Sequence, residues 1–146
     1  MSVVNRRSFL EMAIALGATA AWGHPFSSAS TIKWRERRDH YPEGVASGDP
    51  ESESVLLWTR RAPVRGETAA TQVLTLEISE DESFRRVIAT ANSPISQASD
   101  WTCRVLAGGL KPAHVYWYRF TDSEGNGSRV GRTITAPANN DDRTVQ

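Results

Sequence analysis

The feature that most constrains the fold is a succession of short apolar segments after residue 42, separated by turn residues. In Val73–Ser79, leucine and isoleucine alternate strictly with polar residues, as in a half-buried strand. The glycines of the loop Asp122–Gly127 suit a hairpin turn. About seven such strands without a sustained helical period predict an all-β, antiparallel β-sandwich over residues 42–137. The predicted strands are Val55–Arg60, Val73–Ser79, Phe84–Ala91, Trp101–Leu106, Val115–Thr121 and Arg129–Thr135, with a weak first strand near Val45.

The sequence has the spacing of a tyrosine corner, which indicates that the predicted sandwich is of the immunoglobulin or fibronectin III type. Tyr116 follows Leu110 by six residues, with Pro112 between them, and it opens the most aromatic of the predicted strands. In such a corner the phenol hydroxyl bonds to the backbone of the preceding loop and fixes the crossover between the two sheets. The spacing therefore predicts that Leu110, Pro112 and Tyr116 form this corner.

The strand Val55–Arg60 is apolar on both faces, so alternation does not show which face points inward. We therefore predict its orientation from the size of its side chains. The large ring of Trp58 favours the centre of the sandwich, and Leu56 shares that face. Val55 and Leu57 would then point outward. The predicted core consists of the large apolar side chains on the inward faces, namely Leu56, Trp58, Leu76, Tyr118 and Phe120.

Apolar side chains exposed on a small sandwich commonly mark a contact surface. Trp117 lies on the opposite face of its strand from the core aromatics, and Trp34 is a lone aromatic residue in a charged run. We predict that Trp34, Val55, Leu57 and Trp117, with the segment Gly44–Pro50, pack on a second domain. Alternatively, loops or the N-terminal arm of the same domain cover these side chains.

Residues 1–20 have the pattern of a cleavable export signal. Arg6 and Arg7 precede Phe9 and Leu10, which is typical of the twin-arginine route, and a short run rich in small residues follows. That run is too short for a stable membrane span, which needs about 20 strongly apolar residues. We expect cleavage between residues 20 and 30 and a periplasmic or secreted protein that uses the twin-arginine translocation machinery. The alternative is an amphipathic N-terminal helix.

The segments that flank the predicted sandwich are polar. Residues 21–41 carry a dense run of mixed charge and are predicted to form a solvated linker or arm. Residues 138–146 are rich in asparagine and aspartate and read as the start of a linker to a further domain. The whole chain has 17 basic and 17 acidic residues, so its charge does not indicate a nucleic-acid partner.

No catalytic, cofactor-binding or metal-binding motif can be assigned. Metal-assisted hydrolysis needs clustered His, Asp, Asn or Cys ligands. The three histidines are His24, His40 and His114, and none lies in a ligand motif. Cys103 has no partner at ligand spacing and cannot form an internal disulfide, so we expect a small core residue.

Several of these segments resemble the N-terminal domain of the PhoD-like alkaline phosphatases, and the resemblance covers nearly everything after residue 34. It implies an exported, metal-dependent enzyme that hydrolyses phosphate mono- and diesters, with iron and calcium in a catalytic metallophosphatase domain downstream of Gln146. This chain would be the accessory domain that docks on that catalytic domain. The segments are Pro42–Pro50, Ser54–Arg61, Asp100–Val105, Gly109–Pro112, Tyr116–Phe120 and Gly131–Pro137.

Two other functions remain open at this point. The fold also serves as a stand-alone binding module for envelope glycans or proteins, which a row of exposed aromatic side chains along one sheet would favour. A single broad apolar patch beside the C-terminus would favour docking. A related sandwich precedes the catalytic domain of purple acid phosphatases. The residue pattern of Gly44–Pro50 and the bacterial export signal make this third assignment the less favoured one.

Overall fold

The computed structural model describes residues 5–138 and shows one helix and ten strands, most of which are short. Asn5 caps the helix by accepting a hydrogen bond from the Ser8 amide at 2.8 Å. The elements are α1 (Arg6–Ala15), β1 (Thr19–Trp22), β2 (Arg35–Glu36), β3 (Val45–Gly48), β4 (Val55–Arg60), β5 (Thr71–Ser79), β6 (Val87–Ser96), a 3-10 turn (Gln97–Ser99), β7 (Thr102–Gly108), β8 (Val115–Thr121), β9 (Asn126–Gly127) and β10 (Gly131–Ile134).

The strands form two sheets. The four-stranded sheet has the order β1-β7-β4-β3, and the six-stranded sheet has the order β2-β9-β8-β5-β6, with β10 also paired to β8. All pairs that involve only β3 to β10 are antiparallel. Two pairs are parallel, β1 with β7 and β2 with β9, and in each of them the first strand lies before residue 42. The predicted all-β sandwich of fibronectin III type is thus confirmed, with a parallel strand added to an edge of each sheet.

The main core lies between the sheets and follows the alternation of the strands. On β5, Leu74, Leu76 and Ile78 point inward, as the sequence predicts. On β8, the inward side chains are Tyr118 and Phe120, which pack edge to face with their ring centroids 6.3 Å apart. Cys103 on β7 is also buried in this core, in agreement with its predicted structural role.

The predicted orientation of β4 is wrong. Val55 and Leu57 are 1% and 0% exposed and belong to the main core, whereas Leu56 and Trp58 are half-buried on the outer face. Thr59 shares the inward face by alternation, and its buried hydroxyl is satisfied by donating a hydrogen bond to the Gly44 carbonyl at 2.8 Å. A strand that is apolar on both faces fits the core in either orientation, so side-chain size did not decide this one.

The sandwich also begins further upstream than residue 42. Ala21 of β1 and Tyr41 both lie in the main core. The Tyr41 hydroxyl donates a hydrogen bond to the backbone carbonyl of Asn126 at 2.8 Å, which ties the segment before β3 to β9. Residues 21–41 are thus anchored to the sandwich at both ends, while most of the charged side chains between Lys33 and Asp39 are exposed, as expected for a solvated arm.

Candidate docking surface and N-terminal helix

Trp34 contacts the chain's own six-stranded sheet. Its indole nitrogen donates a hydrogen bond to the carbonyl of Ser128 at 3.1 Å, and its ring lies against Gly127, where there is no room for a side chain. Trp34 therefore makes these contacts within its own domain, and its docking on a second domain stays a prediction. Its environment corresponds to the alternative, in which the N-terminal arm packs on the same domain.

Arg119 holds this arm on the outer face of the sheet. Its guanidinium donates to the Glu77 carboxylate at 3.0 Å and to the Ser30 hydroxyl at 3.1 Å. The guanidinium carbon also lies 3.9 Å from the centroid of the Phe84 ring and 4.9 Å from that of Trp34. A charge that is paired, hydrogen-bonded and stacked on two rings can be buried at little cost, which explains how Arg119 can lie beneath the arm.

Val55 and Leu57 take no part in a docking surface, because both lie in the core. Of the four predicted docking residues, Trp34 and Trp117 are half-buried, and Trp34 already packs on this domain. Trp117 lies on the outer face of β8. It therefore stays a candidate, now with different neighbours.

Trp117 belongs to a patch at the edge of the six-stranded sheet, where β8 pairs with β10. Trp117 lies opposite Arg132, and the next outward pair is Val115 opposite Ile134. Ile134 is 52% exposed, which is unusual for an isoleucine on a strand. We call Val115, Trp117, Arg132 and Ile134 the exit patch. The sequence signal that could have found Ile134 is Arg132, because the two residues share a strand face and the charged one must reach solvent.

The backbone that leaves the domain runs beside this patch. The Ala136 amide donates to the Glu51 carbonyl at 2.9 Å, and the Ala136 carbonyl accepts from the Ala113 amide at 2.9 Å. Next to it, a cleft of about 220 Å³ opens between β3 and β10 and includes Gly48 and Pro50 of the predicted docking segment. The position of the chain at residue 136 is thus set relative to the exit patch.

The tyrosine corner has the contacts that its spacing predicts. The Tyr116 hydroxyl accepts a hydrogen bond from the Lys111 amide at 2.8 Å, and burial raises the pKa of this phenol. Leu110 is buried, while Pro112 is exposed in the loop between them. The corner holds the loop that contacts Ala136, so it also supports the exit patch.

The helix α1 contains all four residues of the predicted export motif. Arg6, Arg7 and Leu10 are exposed, whereas Phe9 is 2% exposed and packs edge to face on Trp22 with a centroid distance of 5.1 Å. The helix thus packs on the sandwich through Phe9 and Ala13, while Leu10, Met12 and Ile14 on its other sides are exposed. No helix within residues 5–138 is long and apolar enough to cross a membrane.

The side chains that usually bind metal ions are not clustered in the part of the chain that the structure describes. Within residues 5–138 there is no group of three or more His, Cys, Asp or Glu side chains that could hold one. His114 contacts Glu80 at 3.1 Å, and burial raises the pKa of the Cys103 thiol to about 11, so this sulfur stays protonated at neutral pH. The iron and calcium that the family resemblance implies do not fit this part of the chain.

The exposed aromatic side chains do not form a row. In the region from residue 5 to residue 138, Phe26 is the one aromatic residue among the exposed large apolar side chains, and the five tryptophans are half-buried. Aromatic rings aligned along one sheet would favour a stand-alone binding module. The exit patch lies beside the departing backbone, where the docking prediction expects an apolar surface. A second group of exposed apolar side chains lies on α1 and the turn after it, namely Leu10, Met12, Ile14 and Leu16.

Comparison with known proteins gives consistent results. A family model described as the N-terminal domain of PhoD-like phosphatases matches residues 27–137. Alkaline phosphatase D of Bacillus subtilis (strain 168) is 35% identical over 145 aligned residues, which cover 92% of this chain and 24% of that protein. A solved structure of PhoD aligns with a TM-score of 0.63 and 38% identity over 67% of this chain and 19% of its own. A human fibronectin type III domain aligns with a TM-score of 0.52 and 14% identity, over 70% of this chain and 81% of its own, and shows the fold alone.

Proposed function

Because the chain belongs to the family of PhoD-like phosphatase N-terminal domains, we propose that it is the accessory domain of an exported phosphatase. In this proposal it packs on a catalytic domain that follows it in the longer protein. The chain spans about a quarter of the length of the alkaline phosphatase D that it resembles, which leaves room for such a domain. Hydrolysis of phosphate esters would be the work of that domain, as would the binding of iron and calcium.

The observation that carries the proposal is the exit patch. Ile134 lies two residues before Ala136, whose backbone is held by Glu51 and Ala113, so a domain that follows is tethered within reach of the patch. An exposed isoleucine beside a half-buried tryptophan is the kind of apolar centre that interdomain contacts bury. Arg132, exposed next to them, suits the polar rim of such a contact.

We expect Ile134→Asp to uncouple the two domains in the complete protein. A carboxylate at the centre of the contact would lose its hydration when the domains dock, so the domains should separate while each stays folded. Calorimetry of the wild-type protein should show one main unfolding transition, and that of the variant should show two. In the isolated chain the substitution should change the free energy of unfolding by no more than about 0.5 kcal/mol, because the side chain is exposed.

Val73→Asp is the matched control for this experiment. Val73 is also β-branched and is 49% exposed on the outer face of the same sheet. It lies far from the exit patch, because Ser79, at the other end of β5, is the residue that pairs with Trp117. This variant should keep the single transition. Equal effects of both substitutions would contradict docking through the exit patch.

We also expect the 146-residue chain alone to show no phosphatase activity. The reason is that residues 5–138 hold no cluster of metal-binding side chains. The assay would use a phosphomonoester and a phosphodiester at alkaline pH, with calcium and iron supplied. The control is a metal-only blank. Turnover clearly above that blank would mean that this chain carries catalytic groups itself, and would overturn its role as an accessory domain.

Export by the twin-arginine route is a further part of the proposal. It is supported by Arg6 and Arg7 followed by Phe9 and Leu10, and by the exposure of both arginines on α1. The route would deliver a folded protein to the periplasm or the medium. Phosphate esters outside the cytoplasm would then be the substrates of the complete enzyme.

A further inference from the structure

The outer face of the four-stranded sheet binds the chain's own N-terminal helix. Phe9 and Ala13 of α1 form a small core with Leu106 of β7, separate from the main core. The apolar side chains that pack around these three residues come from the turn after α1, from β1 and from β4, and they are Ala18, Ala20, Trp22 and Leu56.

The ring of Phe9 packs directly over Gly108, in a site that we call the Gly108 seat. The site exists because Gly108 has no side chain. A Cβ atom at Gly108 would lie 2.5 Å from the Phe9 ring, and one at Gly109 would lie 2.8 Å from the Trp22 ring. Glycine inside a strand weakens it, and such a position commonly marks the close approach of another group. The seat is therefore shaped for one aromatic ring.

The helix is also tied down at its C-terminal end. The amide of Ala18 donates to the carbonyl of Ala13 at 2.9 Å, which ends the helix in a tight turn. The following strand, β1, pairs with β7 through four residues, and Ala21 enters the main core. The segment that carries the predicted export motif is thus held both by its phenylalanine and by the strand that follows.

We propose that the Gly108 seat is a binding site for the export helix, and that it withholds Phe9 from the export machinery until the helix leaves. The proposal rests on the twin-arginine function proposed above. In the docked state Arg6, Arg7 and Leu10 are accessible, but Phe9 faces the sheet. The complete motif becomes available only when α1 is released, so the occupancy of the seat controls how much of the folded protein can be exported.

Gly108→Val tests the seat without changing the export motif. The valine side chain fills the space of the Phe9 ring, and a β-branched residue suits a strand. In the 146-residue chain, we expect the amides of α1 to exchange with solvent at least about tenfold faster than in the wild type. Those of β5 and β8 should keep their protection, which shows that the sandwich is intact. Gly108→Ala is the milder variant if valine prevents folding.

Gly48→Val is the matched control, because a Cβ atom at Gly48 meets nothing within 4 Å. It should leave the exchange of α1 unchanged. Unchanged exchange of α1 in both Gly108 variants, or unprotected α1 amides in the wild-type chain, would overturn the docking of the helix.

The second measurement is the half-time of export in a bacterium with a twin-arginine system, determined by pulse labelling. We expect Gly108→Val to shorten the half-time of export roughly in proportion to the faster release of α1, and Gly48→Val to leave it unchanged. A released helix with an unchanged export half-time would overturn the masking. Undiminished export of the double variant Arg6→Lys, Arg7→Lys would overturn the proposed route itself, whatever the exchange data show of the seat.

Discussion

Replacing Arg61 with alanine is expected to destabilise the domain by about 3–5 kcal/mol. Its side chain is 0% exposed and donates to both Glu67 oxygens at 2.9 and 2.8 Å and to the Asp122 carboxylate at 3.1 Å. Asp122 is itself 6% exposed in its side chain, so the variant leaves a buried carboxylate without its cation. Denaturant unfolding at neutral pH measures the loss.

Arg60→Ala is the control for this prediction. Arg60 is the neighbouring residue and also makes two ion pairs, with Glu43 and Asp100, but these lie at the surface. Surface pairs contribute little, so the variant should lose no more than about 1 kcal/mol. Equal losses in the two variants would show that the burial of Arg61 does not determine its contribution.

The same cluster predicts how stability changes in acid. The hydrogen bonds from Arg61 lower the pKa of Glu67 below its ordinary value. A carboxyl group whose pKa is lowered on folding contributes stability above its unfolded pKa, about 4.3 for glutamate, and loses that contribution as the pH falls through the folded value. Between neutral pH and pH of about 3, the wild type should therefore lose more stability than Arg61→Ala does.

Leu57→Ala is expected to cost about 2–5 kcal/mol, because it opens a cavity between the two sheets. Leu57 is 0% exposed and lies opposite Val105 on β7. Leu56→Ala removes the same number of atoms from the adjacent position, where the side chain is half-buried under α1. Its expected cost is about 1–2 kcal/mol, since less surface leaves water on folding.

The comparison of these two leucines tests the orientation of β4 directly. Unfolding of the two alanine variants, measured under the same conditions, should show the larger loss for Leu57. A larger loss for Leu56 would mean that β4 has the orientation predicted from the size of Trp58. The wild-type chain serves as the common reference, and an unchanged denaturant dependence would show that both variants unfold in the same manner.

The strands that could be predicted correctly are those whose two faces differ. On β5 the polar Thr75 and Glu77 leave one inward face for Leu74, Leu76 and Ile78. The tyrosine corner was predictable because Leu110, Pro112 and Tyr116 are close in sequence and their spacing is imposed by a local turn. The orientation of β4 could not be obtained in this way, since Leu56 and Leu57 are chemically identical neighbours.

The candidate docking surface was less predictable than the fold. Trp34 was expected to contact another domain because its neighbours in sequence are charged, yet its partner Arg119 lies on a distant strand and stacks on it. Ile134 was overlooked, although it shares a face of β10 with Arg132, whose charge requires that face to reach solvent. Of the predicted set, Trp117 is the residue that the exit patch retains, because the register of β8 with β10 places it beside Ile134.

By itself, the sequence determined the sandwich class, the family and the tyrosine corner, because these depend on alternation, turns and spacing within short segments. Only the tertiary structure decided which face of β4 points inward, where the charged arm lies and where Phe9 is seated. Each of these depends on a contact between segments far apart in the chain, namely Leu57 with Val105, Trp34 with Arg119 and Phe9 with Gly108. Local patterns carry no information about such contacts, because the packing energy exists only once the sheets have assembled.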